Sequence, residues 1–268
     1  MKKRIFILII LTVFFYELLS MNLNVRAYED RVDARSAIAI DSTNNSILFE
    51  QNGFEVVSMA STTKILTALV TIQRGNLDKK LTVSKNAANI RGSKVGYSEG
   101  EEITIRELLY GLMFRSGNDA AITLAEGLGG SIEGFSEIMN TTARRIGITD
   151  SHFESPHGLD SNEHYSSAYD LAILTSKAME NKTFCEIVGS KQISKDKYNF
   201  TRDYNNINKI LYMIPEANGV KTGYTGQAGK CLVSSIKDNN RNIIIVVLNC
   251  PDRWNVTEKI YRNIKENN

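Results

Sequence analysis

Asn218-Gly219-Val220-Lys221-Thr222-Gly223, followed by Lys230-Cys231-Leu232-Val233-Ser234-Ser235-Ile236 and by Ile243-Ile244-Ile245-Val246-Val247-Leu248, decides how this chain folds. The second and third runs are apolar and rich in β-branched residues. A Gly-rich turn follows the first, and Asp238-Asn239-Asn240-Arg241 separates the other two. Short apolar runs bounded by such residues predict strands joined by tight turns. Working outward, the chain closes on a helix that carries Val256, Ile260 and Ile264 on one face. At the other end, residues 36–41 and 46–51 flank the polar turn Ser42-Thr43-Asn44-Asn45, a second strand pair.

Between these two strand regions the pattern is helical. Ile65, Leu66, Leu69 and Ile72 recur at helical spacing, predicting a helix from about Thr62 to Gln73 that Gly75-Asn76 ends. Thr104-Ile105-Arg106-Glu107 reads as a capping box before Leu108, Leu109, Leu112 and Met113. Further helices are expected at about 119–128, 132–145 and 167–180, with an irregular stretch, Asp150 to Ser166, that holds all three histidines. Strands at both ends around inserted helices give an α+β chain: a sheet lobe of about residues 28–85 and 205–268, and a helical lobe of about 86–204. A cleft between two such lobes is the expected place for a site.

The 268 residues suffice for a sizeable core, and 42% hydrophobic with 23% charged residues is an ordinary globular composition. Residues 1–27 differ. Lys2, Lys3 and Arg4 precede an apolar run from Ile5 to Phe15, and Val25-Arg26-Ala27 offers small residues for cleavage, the layout of a secretory signal peptide. A retained membrane anchor is the rival reading, although Glu17 interrupts the apolar stretch; export follows from both. Cleavage would take the formal charge from +2 to −1, and a near-neutral body without a basic stripe argues against a nucleic-acid partner. Cys185, Cys231 and Cys250 have no C-x-x-C spacing and read as small apolar residues.

Three short motifs carry chemistry. Ser61-Thr62-Thr63-Lys64 is Ser-x-x-Lys at a helix start, where residues three apart are neighbours and an amine can take a hydroxyl proton. The same spacing recurs at Ser194 to Lys197, in a polar stretch, and at Ser234 to Lys237, on a strand whose positions three apart face opposite sides. Ser116-Gly117-Asn118 sits at a joint between two helices, and Lys221-Thr222-Gly223 occurs once, on a late strand. Each motif alone has a bland reading, as an N-cap serine, a turn and a surface strand. Their order along the chain follows the signature of penicillin-binding proteins and class A β-lactamases, except that the middle element is Ser-Gly-Asn rather than Ser-Asp-Asn.

With those motifs in place, the chain resembles the serine D-alanyl-D-alanine carboxypeptidases, the low-molecular-weight penicillin-binding proteins. The resemblance covers about residues 35–262, including Ala60 to Ala68, Ser155 to Asp160 with His164 to Ala172, and Lys221 to Gly229. It implies a β-lactamase/transpeptidase-like fold, an antiparallel sheet flanked by helices with an inserted all-helical lobe. It implies Ser61 as nucleophile, Lys64 as base, and Ser116 as proton relay to the leaving D-alanine. It implies Asn118, Lys221, Thr222, Gly223 and Tyr224 as substrate contacts, with the N–H groups of Ser61 and Tyr224 as oxyanion hole and Arg253 as a further carboxylate contact. No cofactor and no metal are implied. The expected partners are pentapeptide stems of peptidoglycan ending in D-Ala-D-Ala and β-lactam inhibitors, at the cell wall or the outer face of the cytoplasmic membrane. The family's β-rich second domain is expected to be missing from this chain.

Three rivals remain at this point. A class A β-lactamase needs a Glu-x-x-Leu-Asn loop, which the sequence lacks. A zinc peptidase would use His152, His157 and His164, whose spacing matches no zinc motif. A non-catalytic penicillin sensor would keep the nucleophile and lack turnover.

Overall fold

The structure is a computed structural model and describes residues 31–267, so the signal-peptide reading of residues 1–27 lies outside the described residues. In chain order the strands are β1 (Ser36–Asp41), β2 (Ile47–Gln51), β3 (Lys80–Thr82), β4 (Glu102–Thr104), β5 (Gln192–Ile193), β6 (Tyr204–Asn205), β7 (Ala217–Thr225), β8 (Gly229–Asp238) and β9 (Arg241–Leu248). The helices are α1 (Lys64–Arg74), α2 (Lys85–Asn89), α3 (Ile105–Phe114), α4 (Asn118–Gly129), α5 (Ile132–Ile146), α6 (Ala168–Ala178), α7 (Lys182–Gly189), α8 (Ile210–Met213) and α9 (Arg253–Glu266).

Five strands form one antiparallel sheet in the order β2-β1-β9-β8-β7. The central place of β9 follows from its sequence. Ile243 to Leu248 is an unbroken apolar run, fully buried, and a strand without alternation must be covered on both faces. One face, with Ile38, Ile40, Val233, Ile244 and Val246, joins the main helical core. Its opposite face is closed by α9, which packs on β8 and β9 and buries Val256, Ile260 and Ile264. The α+β class read from the sequence is the observed one, with β7 as an edge strand.

Residues Lys64 to Thr71 of α1 are buried on every side, and this helix packs against α3, α4, α5 and α6. It is the axle around which the helices assemble, which suits a helix apolar around most of its circumference. The predicted start at Thr62 is corrected: Ala60–Thr63 form a 3-10 turn, and α-helical hydrogen bonding begins at Lys64. The capping box is half formed. Thr104 Oγ1 accepts from Glu107 N at 3.1 Å, but the Glu107 carboxylate is buried and accepts from the Thr201 amide and hydroxyl and from Tyr204 Oη instead. A buried carboxylate with three donors within reach gains more from them than from one cap amide.

Candidate active site

The 3-10 turn is what aligns the first motif. At three residues per turn, positions i and i+3 eclipse, so Ser61 lies over Lys64. Ser61 Oγ is 2.9 Å from Lys64 Nζ. The turn is entered through Ala60 at φ +50°, a left-handed conformation that costs a non-glycine residue about 1–2 kcal/mol. Ser116, at φ +58°, is held in the same way. Such conformations persist where surrounding structure over-determines them, commonly at functional sites.

Lys64 is fully buried, and two further acceptors complete its surroundings: Asn118 Oδ1 at 2.8 Å and the carbonyl of His157 at 2.6 Å. Asn118 Nδ2 donates to the Arg91 carbonyl at 2.8 Å, which fixes the amide with its oxygen toward the lysine. The Lys64 ammonium is held well below its usual range, first by burial and then by the charge of Lys221, with Asp119 opposing. A neutral amine has two N–H groups and one lone pair. In that neutral form, with the two N–H groups given to the Asn118 and His157 oxygens, the lone pair is the part of Nζ left for Ser61 Oγ; as the ammonium, Lys64 donates to all three.

From the far side, β7 closes on the turn. A Cβ on Gly223 would lie 3.0 Å from Ala60 Cβ and 3.1 Å from Ser61 N, so only glycine lets the strand come this near. Lys221 is also buried, donates to the Thr222 carbonyl at 2.8 Å, and is pushed down to about 7 by burial and by Arg253. Thr222 is buried, whereas the Tyr224 side chain is exposed. Arg253 donates to the carbonyls of Gly223 (2.6 Å) and Cys231 (3.0 Å), which ties α9 to β7 and β8.

Among the sequence-based site residues, Ser61, Lys64 and Asn118 touch directly, and Gly223 packs on the first of them. Lys221 is near enough for its charge to act on Lys64. Ser116 stands two residues before Asn118, at the entry to α4, and takes no part in the three bonds to Lys64. Two of the expected contact residues also bond protein: Asn118 Oδ1 accepts from Lys64 and one N–H of Nδ2 goes to the Arg91 carbonyl, and Arg253 bonds backbone carbonyls.

Two contributors were not legible as site residues. The first is the His157 carbonyl, delivered by the crossing of the 150–166 stretch beneath the turn; a Cβ on Gly158 would lie 2.1 Å from the Ala60 carbonyl oxygen. The second is Asp119, buried, whose carboxylate accepts from the amides of Val95, Gly96, Tyr97 and Ala120 and so folds the 91–97 segment onto the start of α4. Backbone atoms leave no residue-type signal; Asp119 was visible only as the start of an expected helix.

The histidines serve the turn and its loop. His157 Nδ1 accepts from Leu159 N at 3.1 Å, His164 Nδ1 accepts from Glu154 N at 3.0 Å, and His152 Nδ1 meets the Glu163 carbonyl. Burial, chiefly, pushes His157 down to about 3 and His164 to about 4, so both are neutral imidazoles near pH 7. Among the described residues no group of His, Cys, Asp or Glu is arranged to hold a metal ion, and the three cysteines are free thiols.

Comparison with known proteins agrees with this geometry. The chain is 35% identical over 227 residues to the D-alanyl-D-alanine carboxypeptidase DacF of Bacillus subtilis, covering 80% of this chain and 57% of that protein. It is 35% identical over 247 residues to DacC of Escherichia coli, covering 85% and 60%. It thus spans little more than half the length of these relatives. The crystal structure of the Streptomyces K15 DD-transpeptidase superposes with a TM-score of 0.83 at 30% identity, covering 88% of this chain and 98% of that one. The family model described as D-alanyl-D-alanine carboxypeptidase matches residues 23–252, and the chain belongs to that family.

Proposed function

We propose that this protein is a serine-type D-alanyl-D-alanine carboxypeptidase that works through an acyl-enzyme on Ser61. The observation that carries the reading is the Lys64 amine: buried, held below its usual pKa, 2.9 Å from Ser61 Oγ and bonded to the Asn118 and His157 oxygens, so that its neutral form has a lone pair left for the Ser61 proton. As the Ser61 oxygen bonds to the carbonyl carbon between the two D-alanines, its proton passes to Lys64 Nζ. The carbonyl oxygen becomes an oxyanion, for which the N–H groups of Ser61 and Tyr224 are the proposed donors. When the C–N bond breaks, the leaving amine takes a proton, with Ser116 proposed as relay. Water then cleaves the ester and restores Ser61 and the neutral lysine. Lys221 offers positive charge for the terminal carboxylate, and Thr222 a hydroxyl. Asn118 is assigned to holding Lys64, and Arg253 to holding β7.

A β-lactam carries an acyl carbon and a carboxylate of the same disposition, and the same groups are proposed to open it. The sheet lobe and the helical lobe defined from sequence are proposed as the two walls of the cleft. Substrate in the wall implies an extracytoplasmic location, which the leader-like residues 1–27 support; among the described residues no helix is long and apolar enough to cross a membrane.

A second outcome has its own support, because the structural relative from Streptomyces K15 is titled a DD-transpeptidase. There the acyl group would pass to an amine rather than to water. Mass spectrometry of the protein with penicillin should place one adduct on the peptide containing Ser61. Ser61→Ala should lose both that adduct and D-alanine release from a pentapeptide, and D-alanine release by the variant would refute the mechanism. Adding a glycyl or D-amino acid acceptor separates the two fates: free tetrapeptide marks hydrolysis, an acceptor-linked peptide marks transfer.

A further inference from the structure

One chain of hydrogen bonds beneath the turn is not used by the steps above. Glu154 N donates to His164 Nδ1 at 3.0 Å; His164 Nε2 is 2.8 Å from Thr63 Oγ1; and Thr63 Oγ1 donates to the Ala60 carbonyl at 2.8 Å. An amide can only donate, so His164 Nδ1 accepts, and the imidazole proton sits on Nε2. That proton is then given to Thr63, whose own proton is free for Ala60. Every bond in the chain has a determined direction. Thr63 is fully buried and His164 nearly so.

The end of the chain is a carbonyl in the peptide joining Ala60 to Ser61. A peptide unit is planar, and in the trans form its C=O and N–H point in opposite directions. Holding the Ala60 oxygen therefore aims the Ser61 N–H. This N–H precedes the first backbone donor of the turn, Thr62 N to Met59 O at 3.4 Å, and so lies outside the turn's own hydrogen bonds. The Ser61 nitrogen lies against the edge of β7, where a Cβ on Gly223 would sit 3.1 Å from it. Gly158 seals the other end, since a Cβ there would lie 2.1 Å from the Ala60 oxygen and 2.6 Å from Thr63 Oγ1. Ala60 sits at φ +50°, and the Thr63 hydroxyl adds a side-chain hold to a carbonyl that also belongs to the 3-10 turn.

We infer that His164, acting through Thr63, is a positioning residue that aims the Ser61 N–H as an oxyanion donor by clamping the carbonyl of the same peptide. The inference rests on the acyl-enzyme reading and adds to it a reason for a buried histidine that touches neither substrate nor base. A displaced oxyanion donor costs rate in the bond-forming step, with typical losses of about 10²–10³ when one donor is removed outright. A loosened donor should cost less, about 10- to 100-fold.

The test compares Thr63→Val with Thr63→Ser, reading the penicillin acylation rate at saturation and the concentration for half-saturation separately. Thr63→Val keeps the shape and removes the hydroxyl; its acylation rate should fall about 10- to 100-fold with half-saturation unchanged. Thr63→Ser keeps the hydroxyl and should restore the rate to within about threefold. His164→Gln, which keeps a donor at the place of Nε2, should acylate faster than His164→Asn, which does not reach Thr63. The acid limb of the rate against pH should be unmoved in Thr63→Val, because Lys64 and its partners are untouched. Around His164 the charged and titratable groups are Glu154, His152, His157, Lys64 and Asp160, all retained in the threonine variants. If Thr63→Val folds and acylates at the wild-type rate, the inference is overturned while the carboxypeptidase reading stands. If Thr63→Val does not fold, equal rates for the two His164 variants overturn it. Wild-type protein that forms no adduct overturns both.

Discussion

Two lysines face each other across the candidate site, and their surroundings differ in one respect that sets their chemistry apart. Lys64, on the 3-10 turn side, and Lys221, on β7, are both buried and both held below the usual lysine range. Lys64 has three oxygen partners in place, whereas Lys221 has one, the Thr222 carbonyl. The first is therefore complete without substrate, as a proton acceptor for Ser61 must be. The second keeps two donors for a group that has yet to arrive. Burial alone does not make a lysine a base: partners decide, and the proposed function gives proton transfer to one lysine and anion binding to the other.

The largest effect should come from removing the first. Lys64→Met leaves a side chain of similar length without a lone pair for the proton. Acylation by labelled penicillin, followed in a stopped-flow instrument, should fall by about 10²–10⁴, with the non-covalent step little changed. A loss confined to that non-covalent step would reverse the roles given to the two lysines.

Lys221→Met should cost about 10- to 100-fold in kcat/KM, the range of one charged hydrogen bond of about 1.5–3 kcal/mol. The loss should shrink for a substrate analogue whose terminal carboxylate is an amide. A loss of the same size for both ligands would mean that Lys221 acts on the proton transfer and that the contrast between the lysines is false.

The two pKa shifts place this contrast on a pH axis. In the proposed mechanism Lys64 works as the free amine, so activity should fall as pH is lowered through its depressed value. There Lys221 meets an anion as the ammonium, so kcat/KM should fall as pH rises above about 7. A bound carboxylate raises the Lys221 value, and the alkaline limb of kcat should lie above that of kcat/KM. In Lys221→Met the limb near 7 should vanish and the acid limb move up, because a positive charge that depressed Lys64 is gone.

How much of this was legible follows from what a sequence encodes. The apolar runs that make β1, β8 and β9 bury on the sheet they were assigned to, because period and turn chemistry are local. Ser61 with Lys64 was legible because three-residue spacing is itself geometry. The His157 carbonyl was not, since any residue carries one and only the crossing of the 150–166 stretch brings it to Lys64. Glu107 was read as half of a capping box because its true donors, Thr201 and Tyr204, lie 94 and 97 residues away. The bonds of Asn118 to Lys64 and to the Arg91 carbonyl were not legible either, since they join residues 54 and 27 positions apart.

A smaller effect tests whether the support beneath the turn is a neutral one. His157 and His164 have folded-state values of about 3 and 4, against about 6.5 for a free imidazole. As pH falls from about 6.5, the unfolded chain takes up protons that these two imidazoles refuse. Stability is therefore lost through that window down to about pH 3–4 and regained as pH rises. Thermal midpoints should decline accordingly. Ring-proton NMR should show two imidazoles that stay neutral at pH 5.5; protonation of both at that pH would dismantle the directed hydrogen-bond chain.

The smallest effect belongs to a second Ser-x-x-Lys, Ser234 to Lys237 on β8. Here the identical spacing produces nothing, because positions three apart on a strand face opposite sides. Ser234 is buried with its hydroxyl unpaired, while Lys237 is exposed. Removing an unsatisfied buried hydroxyl relieves a desolvation cost that the small cavity offsets, so Ser234→Ala should change stability by about 1 kcal/mol or less. Its acylation rate should stay within twofold of wild type. A large loss of acylation in Ser234→Ala would show that spacing, rather than the 3-10 turn and its partners, had been credited with the chemistry at Ser61.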